Sequence, residues 1–281
     1  MKIPKNTPSL NAITIARHEI NQHLHNVHNS NQALAIYVKG DKAQCHMEQM
    51  KINNLAVLKK FGNLMDYMAN PCEYDEYMQV NFKKLDIIQA VRSMQKQISE
   101  YVSVDNINLQ LKTGIESIFV TTDIRRLKKI LYNLLSNSMR HTRSGGTKKI
   151  VLSVKDIGDS VVVSVRDLSG GCLRNLSNGF LCHESDVLEA LKNKEISTVD
   201  PMLGFGLWFA VSLKFANEIG AKLEINNTSE TGCEASVILP KEIEDPPIAA
   251  SIVSDSIGIL DPDESLINVY FSDIFEEGCN L

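Results

Sequence analysis

His18 and Glu19, in the segment RHEINQHL, are neighbouring residues whose types can carry out phosphoryl chemistry. A neutral imidazole nitrogen is a nucleophile toward a phosphoryl group, and an adjacent carboxylate can accept the proton that is released. Because His23, His25 and His28 follow closely, the four histidines could instead decorate a polar helix face or bind a metal. Helical spacing aligns His18 with His25 and His25 with His28, which is a poor arrangement for a tetrahedral metal site without further ligands.

A second polar group, Asn133, Asn137, Arg140 and His141, lies at offsets of 0, 4, 7 and 8 in NLLSNSMRH. This spacing places two carboxamides and two basic groups on one stripe of a helix whose other face is filled by leucine and isoleucine. Such a stripe is usually solvated surface. The elements around it decide whether it binds a ligand instead.

The bulk composition predicts two domains and an ordinary acidic protein. A chain of 281 residues exceeds one minimal core, and its 43% hydrophobic content suffices to bury real cores. The net charge of −5 gives no reason to expect nucleic acid or an anionic membrane as a partner. No apolar run approaches the roughly 20 residues that span a bilayer, and the N-terminus lacks the layout of a secretory signal. We therefore expect a cytoplasmic chain without a membrane segment, whose six cysteines, lacking any CxxC spacing, are reduced.

Residues 1–75 carry two apolar runs at heptad-like spacing, joined by the polar connection KGDKAQCH. This pattern predicts an antiparallel helical hairpin, with His18 beside the seam and reachable by solvent. One hairpin has nothing to cover its seam, so two copies are expected to form a dimeric four-helix bundle. The seam residues are Ile13, Ile20, Leu24, Val27, Leu34 and Val38 in the first helix and Met47, Met50, Val57, Phe61, Leu64 and Met68 in the second.

Residues 78–240 alternate between helical and strand-like runs, after Asn70-Pro71 ends the second helix. They predict an α/β domain of mixed order, in which helices cover one face of a mainly antiparallel sheet. The polar stripe falls on a helix that begins near Asp123, and KKIVLSVKDIGDSVVVSVRD predicts a hairpin. Residues 168–203 show no regular pattern, which is typical of a functional lid.

Four motifs, in the order RHEINQHL, NLLSNSMRHT, VRDLSGG and GFGLWFAVSLKFANEIGAKLEI, resemble the sensor histidine kinases of two-component signalling. Each motif alone is weak, but four in this order at sensible spacings are a strong signal. The resemblance implies an α+β fold, with residues 1–75 as the dimerisation and phosphoacceptor hairpin. Residues 78–240 would then be a GHKL-type ATP-binding domain, a Bergerat-type α/β sandwich.

The resemblance also implies a role for each matching residue. His18 would accept the phosphoryl group with Glu19 as the base, while Asn137 and Asn133 would ligate Mg²⁺. Mg²⁺ prefers hard oxygen ligands and keeps most of its waters, so one or two protein oxygens suffice. Arg140, one turn further along, would meet phosphate oxygens.

The adenine of ATP would be selected by Asp167, whose carboxylate accepts a hydrogen bond from the exocyclic amine. Glycines at a helix start would present free backbone N–H groups and the helix dipole to the phosphates. The complete implied cofactor-binding set is Asn133, Asn137, Arg140, His141, Asp167, Gly171, Gly204, Gly206 and Leu207.

The last segment, residues 241–281, begins with the linker KEIEDPPIAA and is too short to bury a core of its own. It predicts a strand, a turn holding Asp261 and Asp263, and a helix, and it resembles the beginning of a receiver domain. Pro262 separates the two aspartates, and no phosphoacceptor aspartate follows. The segment is expected to be either a fragment of a hybrid kinase or a remnant packed on its neighbour.

The expected function is a histidine kinase core that phosphorylates His18 from Mg·ATP and passes the phosphoryl group to the receiver domain of a response regulator. Ser169 and Met202 stand where the family has glycines, and His23 stands where it has a helix-bending proline. The substituted glycines favour the alternative of a catalytically degenerate phosphotransfer or scaffold protein. A third reading, another ATPase on the same nucleotide fold, leaves the hairpin with His18 unexplained.

Overall fold

The computed structural model describes an α/β body and the second of the two predicted hairpin helices. The described residues are 39–68, 79–102, 107–144, 148–168, 207–227, 232–243, 251–252, 267 and 269–271, together with scattered positions between 20 and 37. In chain order the elements are α1 (Asp41–Met68), β1 (Asn81–Asp86), α2 (Ile87–Val102), β2 (Asn108–Thr113), β3 (Phe119–Thr122), α3 (Ile124–Ser144), β4 (Lys149–Asp156), β5 (Ser160–Asp167), α4 (Leu207–Glu218), β6 (Lys222–Asn227), β7 (Cys233–Pro240) and β8 (Ser251–Ile252).

Helix α1 begins at Asp41, within the stretch KGDKAQCH that the sequence predicts as a polar connection, and it has two apolar faces. One face buries Leu55 and Leu58, and the helix packs on α4. The other face stays open to solvent. The existence of this long second helix is confirmed, whereas its pairing with a first helix stays a prediction, because the first helix is described only at scattered positions.

A small three-stranded sheet has the order β3-β1-β8. Strands β1 and β3 are antiparallel, and β8 lies parallel to β1. Asp86 ends β1 and caps α2, because its carboxylate accepts the backbone N–H of Ile88 at 2.9 Å. Helix α2 then buries Val91, Met94 and Ile98, the three- and four-residue spacing of an amphipathic helix.

The main sheet has five strands in the order β2-β4-β5-β7-β6. Only the β2–β4 pair is parallel, so the expected mainly antiparallel sheet is confirmed. The predicted hairpin joins β4 to β5 through Gly158, whose φ of 89° lies in the left-handed region that glycine adopts without strain. Asp156 stabilises this turn by accepting the N–H of Gly158 at 3.0 Å.

The helices α3 and α4 pack together and against the five-stranded sheet. Strand β4 buries Ile150, Leu152 and Val154 in alternation, as expected when one sheet face is covered. This layering agrees with the predicted mixed α/β class, with the helices on one face of the sheet. Among the described helices, none combines the length and apolar character needed to cross a bilayer.

The described residues beyond the predicted linker boundary belong to this body. Ile243 packs against the core, and Ile267, Tyr270 and Phe271 are buried within it. These contacts show that the described part of residues 241–281 packs on its neighbour, and whether the segment belongs to a hybrid kinase stays a prediction. Asp261 and Asp263 lie outside the described residues.

Two cysteines differ from the expectation of reduced thiols. Cys45 in α1 and Cys233 in β7 are disulfide-bonded. Cysteine spacing could not reveal this, because disulfide formation depends on which thiols the tertiary fold brings together.

Candidate nucleotide-binding site

The helix that carries the polar stripe, α3, is fixed at its start by Asp123. One carboxylate oxygen, Oδ1, accepts the N–H of Arg125 at 2.9 Å, which is an N-cap, as predicted. The other, Oδ2, accepts the N–H of Asn81 at 2.8 Å and so ties the helix start to β1. The direction of α3 across the sheet is therefore set before the first residue of the stripe.

Asn133 belongs to α3, and its side chain lies between α3 and α4. The residue is only 2% exposed. Its amide nitrogen Nδ2 donates to Ser212 Oγ at 3.2 Å and to the carbonyl oxygen of Trp208 at 3.4 Å. Trp208 is the second residue of α4, so these bonds hold the first turn of α4 beside the polar stripe. The carboxamide oxygen Oδ1 of Asn133 has no hydrogen-bond partner within the described part of the chain.

Asn137 and Arg140 lie one and two turns further along α3, and both are only partly buried. Their side chains are therefore more open to a ligand than that of Asn133. His141 occupies the next helical position, and its side chain lies outside the described residues.

Asp167 is the last residue of β5, and its side chain is 1% exposed. It lies in register with Ile150 on one side and Cys233 on the other, and α3 packs against its strand. A carboxylate is costly to bury without polar partners, so this position differs from an ordinary solvated turn residue. The structure thus places a buried carboxylate at the strand end that the third motif singles out.

The remaining predicted site residues fall outside the described residues, and their roles stay predictions. These are His18 and Glu19 in the first motif, Gly171 after β5, and Gly204 and Gly206 before α4. Leu207 begins α4, but nothing is described of its side chain.

The described groups fit a nucleotide with a magnesium ion. The unpartnered oxygen of Asn133 and the partly buried carboxamide of Asn137 are hard oxygen donors on one helix stripe. The first turn of α4 is tied next to them, and free N–H groups at a helix start favour anions. One stripe thus offers oxygens for a cation, and its neighbouring helix end offers donors for phosphate.

Buried ion pairs join the start of α3 to the end of α4. Arg126 donates to Asp123 at 2.8 Å and to Glu218 at 2.5 Å, with all three side chains less than a tenth exposed. Two cations lie over the ring of Phe215. Arg126 Cζ is 5.8 Å from the ring centroid, and Lys129 Nζ is 5.3 Å from it. Two members of the basic run RRLKK, Arg126 and Lys129, are therefore used in contacts within the fold.

The protonation of Asp123 is set by this surrounding. Burial raises the pKa of the Asp123 carboxyl. The hydrogen bond from the Asn81 N–H, the hydrogen bond and charge of Arg125, and the charge of Arg126 together lower this pKa by more than burial raises it. The pKa of Asp123 therefore lies below its ordinary value, and the group is a carboxylate at neutral pH.

Helix α1 is attached to the site helices by charged contacts that the sequence patterns did not single out. Asp66, 3% exposed, pairs through Oδ2 with Lys129 Nζ at 2.6 Å, and its backbone carbonyl accepts from Lys214 Nζ at 2.6 Å. Lys59 Nζ donates to Ser136 Oγ at 2.7 Å, on the turn of α3 that carries Asn137. No local spacing signals these contacts, because the partners are far apart in the chain.

Residues 122–243 match the sequence model of the histidine kinase-, DNA gyrase B- and HSP90-like ATPases. This stretch runs from the last residue of β3 to just beyond β7 and contains α3, Asp167 and α4. This stretch is similar to that ATPase family. The similar region, here called the ATPase domain, includes the stripe and the strand end that the sequence singled out, and the resemblance to the sensor histidine kinases is confirmed at this level.

Two curated relatives are both histidine kinases. The chain is 25% identical over 199 residues to hybrid signal transduction histidine kinase D of Dictyostelium discoideum, covering 69% of this chain and 12% of that protein. It is 25% identical over 168 residues to the sensor histidine kinase MtrB of Mycolicibacterium paratuberculosis (strain ATCC BAA-968 / K-10), covering 59% of this chain and 28% of that protein. The chain thus spans well under two thirds of either relative.

The fold is also similar to that of a solved structure, full-length ShkA in complex with AMPPNP. The two superpose with a TM-score of 0.59 at 16% identity, over 86% of this chain and 47% of ShkA. At this identity the likeness concerns the fold, and it extends beyond the ATPase domain on this chain.

Proposed function

We propose that this chain is a histidine kinase core that transfers the γ-phosphoryl group of ATP to His18. The observation that carries the proposal is the position of α3, whose stripe holds Asn137 and Arg140 and whose Asn133 binds the first turn of α4. The match to the ATPase family and the two histidine kinase relatives support it.

In this mechanism the chain mainly positions groups and neutralises charge, as phosphoryl transfer requires. Asn137 and Asn133 would hold Mg²⁺, which would neutralise phosphate charge, and Arg140 would bind phosphate oxygens. Asp167 would orient the adenine. An imidazole nitrogen of His18 would form the new N–P bond as the bond to ADP breaks, with Glu19 accepting the ring proton.

The chain would act as a homodimer through the hairpin. Apolar side chains at seven-residue intervals are exposed on both helices: Ile20, Val27 and Leu34 on the first and Met50, Val57 and Leu64 on α1. A water-exposed heptad seam of this kind is stabilised when a second copy covers it. From His18 the phosphoryl group would pass to an aspartate of a receiver domain in a response regulator.

A non-catalytic phosphotransfer or scaffold protein is the second candidate, favoured by Ser169 and Met202 at glycine positions of the family. It predicts a folded, dimeric chain that is not stabilised by Mg·ATP. A thermal-shift titration at millimolar ATP separates the two, because a ligand that binds the native state raises the unfolding temperature.

Incubation of the full chain with γ-labelled ATP and Mg²⁺ tests the kinase function directly. We expect an acid-labile, base-stable label on the wild-type chain and none on His18→Gln. His25→Gln is the matched control, since it removes a histidine from the same stretch and should retain the label. A label that persists in His18→Gln would contradict the assignment of the phosphoacceptor.

A further inference from the structure

The described C-terminal residues Ile267, Val269, Tyr270 and Phe271, named here the C-terminal strap, lie against both α1 and α3. Tyr270 and Phe271 are buried, and their rings approach that of Tyr132 on α3 with centroid distances of 5.5 and 5.9 Å. The amide N–H of Phe271 donates to the Ile267 carbonyl at 3.0 Å, so the strap has a hydrogen-bonded turn. It therefore makes a specific contact with the helix that carries the nucleotide stripe.

Lys59 joins the strap to the two helices. Its ammonium Nζ, on α1, donates to the Tyr270 carbonyl at 2.7 Å and to Ser136 Oγ at 2.7 Å. Three segments that are far apart in the chain thus meet at one charged group. Hydrogen bonds from a charged donor are stronger than neutral ones, so these two bonds help to hold the three segments together.

The strap and the candidate nucleotide site share the same two turns of α3. Tyr132 and Ser136, which contact the strap and Lys59, immediately precede Asn133 and Asn137 in the chain. Tyr132 and Ser136 are at most 2% exposed, so α3 cannot shift relative to α1 without disturbing them.

We propose that the C-terminal strap, through Lys59, holds α1 on α3 and thereby slows the approach of bound ATP to His18. The proposal rests on the proposed kinase function, since a nucleotide bound on α3 must reach a histidine on the other hairpin helix. That approach is a movement of the ATPase domain relative to the hairpin, and contacts that fix α1 on α3 oppose it. Release of the strap raises the rate of transfer.

Lys59→Met in the full chain is the first test, because methionine keeps the apolar stem and removes the donor. Hydrogen exchange of a peptide covering 267–271 should become faster by about tenfold, the size expected for loss of charge-assisted hydrogen bonds. The initial rate of His18 labelling should rise several-fold. The matched control is Lys60→Met on the exposed neighbouring position, which should change neither value.

A second variant, Phe271→Ala, removes the ring contact between the strap and Tyr132. It replaces Lys59→Met in the test if circular dichroism shows that Lys59→Met does not fold. Unchanged exchange at 267–271 in both variants overturns the strap contact. Faster exchange with an unchanged or lower labelling rate overturns the regulatory role and leaves the kinase function standing. Absence of label from the wild type and both variants overturns the proposed kinase function itself, while the exchange data still report whether Lys59 holds the strap.

Discussion

Asn133 and Asn137 are the same residue type one turn apart on α3, but they differ in their surroundings. Asn133 is buried and donates to α4, whereas Asn137 is partly buried. Sequence spacing treats the two alike, because it reports only the shared stripe. Burial distinguishes the two: Asn133 also joins α3 to α4, whereas Asn137 is open to a ligand.

Asn133→Ala should lower the free energy of unfolding by about 1 to 2 kcal/mol, because it removes the hydrogen bonds that Asn133 Nδ2 donates to Ser212 and to the first turn of α4. Asn137→Ala should leave stability nearly unchanged but lower the labelling rate by more than about tenfold through weaker Mg²⁺ binding. Urea unfolding and label incorporation measure the two effects. Equal loss of stability in both variants would contradict this division of roles.

Asp123 gives the fold an acid-sensitive contact. Its pKa is lowered in the folded chain, so its stabilisation is present above the unfolded pKa of about 3.9 and is lost as the pH falls through the folded pKa. Asp123→Asn should lower the free energy of unfolding by about 3 kcal/mol at pH 7, since it leaves Arg126 partly unpaired. The difference in free energy of unfolding between the wild-type chain and Asp123→Asn should become smaller below about pH 4.

Denaturant unfolding at several pH values measures this dependence. Asp156→Asn is the matched control, because Asp156 also has a lowered pKa, through Lys241 and the Gly158 N–H, but lies on the surface. Its effect should be much smaller. A gap for Asp123→Asn that stays constant down to pH 3 would show that the charge contributes nothing.

At the scale of elements, the regular helices and strands of the ATPase domain were predictable from local pattern. The hairpin β4–β5 and helix α3 follow from alternation, from the turn at Gly158 and from the cap at Asp123. The sequence did not predict where β8 and the C-terminal strap pack. Their pairing with β1 and α3 joins residues far apart in the chain, and short apolar segments do not encode their partners.

Two glycine substitutions test the local part of this reasoning. Gly158→Ala should destabilise by about 1 to 2 kcal/mol, because alanine is strained at its φ of 89° although an added Cβ meets no atom within 4 Å. Gly62→Ala, inside α1 and equally open, should stabilise by up to about 1 kcal/mol through helix propensity. Thermal unfolding measures both, and shifts of the same sign would refute the argument.

At the scale of the whole molecule, the seam of the hairpin and the body of the ATPase domain use different faces of α1. Leu55 and Leu58 are buried in this chain, whereas Met50 and Val57 are each 48% exposed. The exposed face is available to a second copy while the buried face holds the ATPase domain.

The double variant Met50→Glu, Val57→Glu should convert the proposed dimer to a monomer, because carboxylates cannot be buried at the seam without large cost. Sedimentation velocity measures the change. Lys51→Glu alone, on an exposed position of the same helix, lowers the net charge by the same amount; it is the charge-matched control and should behave as the wild-type chain does. A wild-type chain that sediments as a monomer would remove the proposed bundle.

The amino-acid sequence by itself determined the α/β class, the polar stripe of α3, the strand end at Asp167 and the histidine kinase resemblance. Each depends on residues close in the chain or on the order of motifs, and periodicity and turn chemistry are local properties. Only the tertiary structure decided that Asn133 binds α4, that Asp66 and Lys59 attach α1, and that Tyr270 and Phe271 lie on α3. These contacts depend on which distant segments the core brings together, and no short pattern records that.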